Sequence, residues 1–255
     1  MRTLFVFCQI HIRCVIFLIV TLAAHFSTAE AASALQGPIY HYHEAVPADV
    51  WTQITPYILP ADHPIKTKLD KIFKKRAIAD LATLKNAGFK VLTKQRWTRM
   101  YVATHSKTKG YIFKLYLDKQ HYHRGMPEYY FWIRRCIGAR VIQDELNING
   151  WNHLFKVPKK YIYPLPPTPA PLNKGPAKHF ILVEEDMDIF PPDRNHRIWG
   201  SKLVSKEILD ALYYIIQKHG FWDCAKPDNI PISKDNRIAF VDTQTFHRWP
   251  VAFEK

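Results

Sequence analysis

The sequence predicts an α+β fold in which antiparallel strands and helices are segregated, rather than a wound parallel sheet. Three observations carry this. Strand-like runs at 90–93, 99–104 and 111–118 follow one another, and the turn-rich His105-Ser-Lys-Thr-Lys-Gly110 between the last two reads as an antiparallel hairpin. Long helical patterns lie at 65–87, 128–147 and 201–219. A second hairpin pattern closes the order, with apolar runs at 230–233 and 238–241 around Lys234-Asp-Asn-Arg237.

The elements follow from local chemistry, in chain order. Met1-Arg2-Thr3, an apolar run over 15–24 and Ala29-Glu30-Ala31 form a secretory signal peptide at 1–31, cleaved after Ala31. That pattern predicts a secreted or periplasmic protein. The alternative is an uncleaved membrane anchor, although a spanning helix needs about twenty apolar residues. Residues 32–64, interrupted by Pro47, Pro56, Pro60 and Pro64, read as an irregular lead-in with at most short helices. Over 65–87, Leu69, Ile72, Phe73, Ile78, Leu81 and Leu84 approximate one helical face, and Asn86-Ala87-Gly88 stops it. Over 128–147, Tyr130, Ile133, Ile137, Val141 and Ile142 form the expected buried stripe. A strand follows at 155–163, then the proline-rich loop 164–176, then a buried strand at 179–183. Leu203, Val204, Ile208, Leu212, Ile215 and Ile216 mark the last long helix.

Composition narrows the function classes. A chain of 255 residues, 47% apolar and 14% aromatic, can bury a sizeable core, which excludes a disordered tail or a repeat array. Thirty-six Lys and Arg against 22 Asp and Glu give a net charge of +14 and an attraction to anions such as nucleotide phosphates, nucleic acid, anionic lipid or acidic protein. The basic clusters, Lys71-Ile-Phe-Lys74-Lys75-Arg76 and Lys159-Lys160, are expected on solvated faces, and no stripe with stacking aromatics makes a nucleic-acid module. Cysteines at 8, 14, 136 and 224 lack C-x-x-C spacing, which excludes zinc ribbons and knuckles. Cys136 and Cys224 would remain after cleavage, and their spacing does not decide whether they pair. His41 and His43, like His121 and His123, have metal-ligand spacing if a third ligand converges.

The strongest local signal is His219-Gly-Phe-Trp-Asp223-Cys224-Ala-Lys226-Pro-Asp-Asn229-Ile230, followed by Ile238-Ala-Phe-Val-Asp242-Thr-Gln244. A helix ending in His, an Asp, Lys-Pro-x-Asn, a hairpin turn and an apolar strand ending in Asp resembles the protein-kinase-like superfamily of protein kinases and aminoglycoside phosphotransferases, in a divergent, C-terminally truncated form. The resemblance implies a two-lobed domain at 65–255. Its N-lobe, about 65–187, would hold an antiparallel sheet and a long helix, and its helical C-lobe, about 188–255, would be minimal. It implies ATP and Mg²⁺ as cofactors, with Lys114 on the phosphates, Asn229 and Asp242 on the metal and Asp223 as base. Glu145 is the ion-pair partner of Lys114 when counted back from the next strand, and Glu128 when counted forward from Lys114. Val183-Glu184-Glu185-Asp186-Met187 resembles the hinge, bringing Glu185 and Met187 to the adenine.

Departures bear on activity. In the family the base precedes the metal-binding Asn by five residues, whereas Asp223 and Asn229 are six apart and Cys224 takes the expected register. Either the loop bulges to bring Asp223 in, or the base is missing. Thr93-Lys94-Gln95-Arg96-Trp97-Thr98-Arg99 contains no glycine, leaving Lys94, Arg96 and Arg99 as the available phosphate contacts there, and Gln244 stands where a glycine often follows the metal Asp. Only thirteen residues follow Asp242, so no activation segment and no conventional protein kinase are expected. The expected function is an exported, divergent ATP-dependent phosphotransferase acting on a hydroxyl acceptor. The alternative is a non-catalytic pseudokinase-type protein that engages a partner through its basic surface or proline-rich loop.

Overall fold

A computed structural model describes residues 46–95, 98–167 and 177–244. The 1–31 leader, His41, His43, Arg96 and the 168–176 part of the proline-rich run lie outside the described residues. Among the described residues no helix is long and apolar enough to cross a membrane.

The architecture is mixed α and β around a five-stranded antiparallel sheet. The chain enters through α1 (Ala48–Ile54), α2 (Lys66–Ile72) and α3 (Leu81–Asn86). The meander β1 (Phe89–Lys94), β2 (Tyr101–His105) and β3 (Tyr111–Leu115) follows, then the long helix α4 (Glu128–Ile148). After the short β4 (Phe155–Lys156), β5 (Lys160–Pro164) and β6 (Phe180–Glu185) complete the sheet in the order β1-β2-β3-β6-β5. Helices α5 (Pro192–Trp199) and α6 (Lys206–His219) and the two-residue β7 (Ile238–Ala239) finish the described chain.

The expected helix over 65–87 is two helices, because the segment between them turns inward. Arg76 makes a bidentate ion pair with Asp118 (Nε to Oδ2 and Nη2 to Oδ1, both 2.8 Å), Ala77 and Ile78 are buried, and Asp80 caps a new helix by accepting from the Thr83 N–H at 2.8 Å. The expected strand over 155–163 is likewise split. Its first part pairs in parallel with β7, whereas β5 pairs antiparallel with β6, and Val157-Pro158-Lys159 makes the change of partner. Helix α5 was not expected; its signals are Pro192 in the first turn and Asp193 behind it. The buried Asn195 anchors it by accepting from the Ile232 N–H at 2.8 Å.

Two apolar cores flank the region where the site lies. One, with Leu69, Phe73, Phe89, Phe113, Tyr163 and Val183, packs α2 and α3 on one face of the sheet. The other gathers Ile142, Leu146, Phe155, Ile215, Phe221 and Phe240 from α4, α6 and the final hairpin. Helix α4 is buried around much of its circumference, through Tyr129, Trp132, Cys136, Ala139, Ile142 and Leu146, while Tyr130, Ile137 and Val141 of the expected stripe are only partly covered. The lead-in is part of this packing: Val46, Val50, Ile54 and Leu59 are buried, and the Leu59 N–H donates to the Ile162 carbonyl at 3.0 Å.

Candidate functional site

Side chains alternate along a strand, so directly paired residues share a face. Val102 opposite Lys114, Ile112 opposite Glu184 and Lys160 opposite Glu184 therefore stand on the sheet face turned away from the Phe113 core. Against this face lies a cleft of about 520 Å³. Val102, Thr104 and Ile112 give it an apolar roof, Ile189 and Pro192 come from the segment entering α5, and Asn229 and Asp242 come from the final hairpin. In that hairpin the Val241 and Asp242 N–H groups both donate to the Asn229 carbonyl, at 3.1 and 3.4 Å, which sets the two candidate metal ligands side by side.

Lys114 is buried, with Nζ 3.0 Å from Glu184 Oε1 and donating to the Val241 carbonyl at 2.8 Å. Lys160 mirrors it, 2.5 Å from Glu184 Oε2 and donating to the same carbonyl at 3.0 Å. Arg135, projecting from α4, donates from Nη2 to Asp242 Oδ2 at 3.2 Å and holds Nε 3.1 Å from Oδ1. Three cations thus surround two carboxylates. Burial alone would raise the Asp242 carboxyl, but Arg135, Lys114 and Lys160 outweigh it and hold it at about 2. Burial likewise opposes ionisation of Glu184, and the two lysines overcome it and hold the carboxyl below its ordinary value. Burial, only partly offset by Glu184, pulls the Lys160 ammonium below the usual lysine value.

The structure brings together five of the seven residues singled out in the sequence: Lys114, Glu185, Met187, Asn229 and Asp242 all line the cleft. Asp223 stands beside it. The extra residue before Asn229 is absorbed by a 3₁₀ turn, Trp222–Ala225, which places Asp223 next to both Asn229 and Lys226. Asn229 Nδ2 donates to the Asp223 carbonyl at 2.8 Å and to its Oδ2 at 3.1 Å, and the Lys226 ammonium contacts Oδ1. Cys224 turns into the core instead, its Sγ donating to the Asp242 carbonyl at 3.1 Å, and burial drives its thiol pKa well above the ordinary value. Cys136 and Cys224 are both free thiols.

Glu145 is not the partner of Lys114. It holds Lys218 (2.7 Å) and His219 (3.1 Å) at the end of α6. Glu128 does not pair with Lys114 either; its Oε1 accepts from the His179 and Phe180 N–H groups. The carboxylate that pairs with Lys114 is Glu184, which shares its sheet face two positions from the direct cross-strand partner Leu182, and α4 sets Arg135 against Asp242. Lys160 was expected on a solvated surface; Glu184 and the Val241 carbonyl explain its burial. Pairing register would have revealed Lys160 and Glu184, whereas Arg135 gives no sign beyond its position among Trp132, Cys136 and Ala139.

The β1–β2 connection closes tightly, Gln95 N–H donating to the Met100 carbonyl at 2.8 Å, with Arg99 in the left-handed region at φ 58°. Thr93, Gln95 and Met100 reach the cleft, while the Lys94 ammonium sits 5.4 Å from the Tyr101 ring centroid. Among the described residues no group of three or more His, Cys, Asp or Glu side chains converges on a metal site, so His121 and His123 gain no third ligand of that kind. The Asp242 carboxylate and the Asn229 amide are oxygen ligands of the type Mg²⁺ takes. Yet Asp242 already faces a guanidinium, and the buried ions around it, Lys114, Lys160 and Arg135 against Glu184 and Asp242, sum to a positive value, the remaining cleft carboxylates Glu185, Asp186, Asp188 and Asp228 being partly or fully exposed. The donor set does not fit a resident divalent cation.

Comparison with known proteins finds no protein-family model that matches this chain and no curated protein that matches it.

Proposed function

We propose that the protein is a kinase-like nucleotide-binding protein, of the pseudokinase type, whose cleft takes an ATP-class ligand with its phosphates at Lys114 and its base at the 185–187 edge. One observation carries this. Lys114 and the Asp242 segment, 127 residues apart at the Val241 contact, are joined by a hydrogen bond, and Asn229 is bonded to the same segment. The order of meander, long helix, two strands, acidic edge, helix, loop and hairpin supports the two-lobed kinase-like reading.

The charge distribution supports the orientation. Glu185 pairs with Tyr111, three residues along β3 from Lys114, so the acidic edge lies about 10 Å from the lysine. Glu185, Asp186 and Asp188 at that edge repel phosphate, and Lys114 attracts it. Between them the roof of Val102 and Ile112 suits a flat apolar ring. With the leader expected at 1–31, the reading is of an exported protein, and its partner-binding role through basic surface or proline-rich loop belongs to the same proposal.

The test is a thermal-shift titration with ATP. Ligand at a hundred times its dissociation constant adds about 2.7 kcal/mol of stability, several degrees for a chain of this size. Lys114→Met, which leaves Glu184 paired to Lys160, should abolish the shift. A folded wild-type protein with no shift in millimolar ATP, with or without Mg²⁺, would overturn the proposal.

A second reading, ATP-dependent phosphotransfer to a hydroxyl acceptor, is favoured by the placement of Asp223 beside Asn229. Asp223→Asn should then remove transfer while leaving ATP binding intact. Transfer that survives this change counts against Asp223 as the base.

A further inference from the structure

We infer that the cleft binds its phosphate-bearing ligand without a divalent cation, because Arg135 supplies the positive charge beside Asp242 that a metal would otherwise bring. This rests on the nucleotide reading above and adds to it a positioning residue and independence of a divalent cation.

Four observations converge. Arg135 is buried and paired with Asp242 through two contacts, at 3.2 and 3.1 Å. The partners cannot easily separate: the guanidinium lies 5.7 Å from the Trp132 ring centroid, Thr243 Oγ1 donates to the Arg135 carbonyl at 2.6 Å, and Cys224 holds the Asp242 carbonyl. Within the buried floor, Lys114, Lys160 and Arg135 against Glu184 and Asp242 leave one net positive charge, which complements an anion there, while the other carboxylates of the cleft, Glu185, Asp186, Asp188 and Asp228, are partly or fully exposed. Finally, Arg135 Nη1 is buried with no hydrogen-bond acceptor among the described residues. With Nη1 unpaired, the charge of the guanidinium acts on Asp242 and on the cleft floor rather than on another acceptor. Arg135 is thus a positioning residue: it acts on the ligand through Asp242 and through the charge of the cleft floor.

The experiment is calorimetric titration of the protein with ATP, once in EDTA and once in excess MgCl₂. The expected dissociation constants agree within about threefold. Arg135→Met should weaken binding in EDTA by at least about tenfold and make it recover with Mg²⁺, while Arg135→Lys keeps the EDTA binding. If Arg135→Met does not fold, the wild-type comparison decides: equal affinity in EDTA and in MgCl₂ supports the inference, and an affinity that rises more than about tenfold with Mg²⁺ overturns it. Wild-type binding only with Mg²⁺ overturns the inference and leaves the nucleotide reading standing. Binding in neither buffer overturns both.

Discussion

Replacing Gly138 by alanine sets two effects of opposite sign against each other. By helix propensity alone, an alanine in the middle of α4 adds about 1 kcal/mol of stability. The tertiary structure predicts the reverse. An added Cβ would stand 1.8 Å from the Thr243 carbonyl oxygen, 2.9 Å from its carbon and 3.0 Å from Phe221 Cε1. Ordinary separations are about 3.5 Å or more, so the carbonyl has to retreat by roughly 1.5–2 Å. It belongs to backbone held by Thr243 Oγ1 on the Arg135 carbonyl and by Cys224 on the preceding one. Overpacking of this kind costs about 1–3 kcal/mol and each disrupted hydrogen bond about 1 kcal/mol, so after the propensity gain the net loss is about 2–4 kcal/mol. That corresponds to a melting temperature lower by about 10 °C in a chain of this size. Because the displaced segment carries Asp242, the ATP response should disappear too. Urea denaturation and thermal shift with and without ATP measure both. A Gly138→Ala protein as stable as wild type, with its ATP response intact, would refute the packing argument.

Three further outcomes follow from burial and charge. Arg76→Met strands the fully buried Asp118 carboxylate and should cost about 3–5 kcal/mol, seen as a lower urea midpoint at unchanged slope; additivity with Asp118→Asn would show that the pair does not act as a unit. Asp242 is held at about 2, below its ordinary 3.8, so its contribution of about 2 kcal/mol is present above pH 4 and is lost as pH falls through 2. Asp242→Asn should flatten the stability profile across that window, and an unaltered acid limb would contradict the ion pairing. Burial pushes the Cys136 thiol up to about 12 and the Cys224 thiol well above normal, so neither should alkylate at pH 8 until urea is added. Peptide mapping of native, iodoacetamide-treated protein checks this, and labelling of either residue would disprove its burial.

Elements with strong local periodicity were legible in the sequence. The meander, the long helix, α6 and the turn at 234–237 lie where alternation, helical spacing and turn residues put them, with ends differing by a few residues, whereas the expected strand at 230–233 is reduced to isolated bridges at Ile232 and Ser233. What the sequence hid depends on residues far apart. The break between α2 and α3 is made by Arg76 reaching Asp118, 42 positions away, and no helical-face pattern registers such a demand. Lys160 looked like surface because lysine usually is; only the β5–β6 register puts it against Glu184. The site residues were legible to the extent that each belonged to a motif, which holds for Lys114, Asn229 and Asp242. Arg135 and Gly138 belong to none, since their environments are created by the returning 242–243 segment more than a hundred residues later.

The two buried charge clusters differ in a way that bears on function. Arg76 and Lys178 face Asp118 and Glu128, two cations against two carboxylates, and most of their groups are bonded to backbone or to each other. Such a cluster is balanced in charge and ties the α2–α3 turn to β6 and α4. At the cleft floor, by contrast, three cations face two carboxylates, and both lysines share a single carbonyl. Buried ion pairs add little stability over well-packed apolar residues, so an unbalanced set beside an open cleft is poorly explained as a stabilising device. An arriving anion balances it. The same imbalance that weakens the case for a resident dication therefore strengthens the case for a phosphate, and both follow from the guanidinium that α4 sets against Asp242.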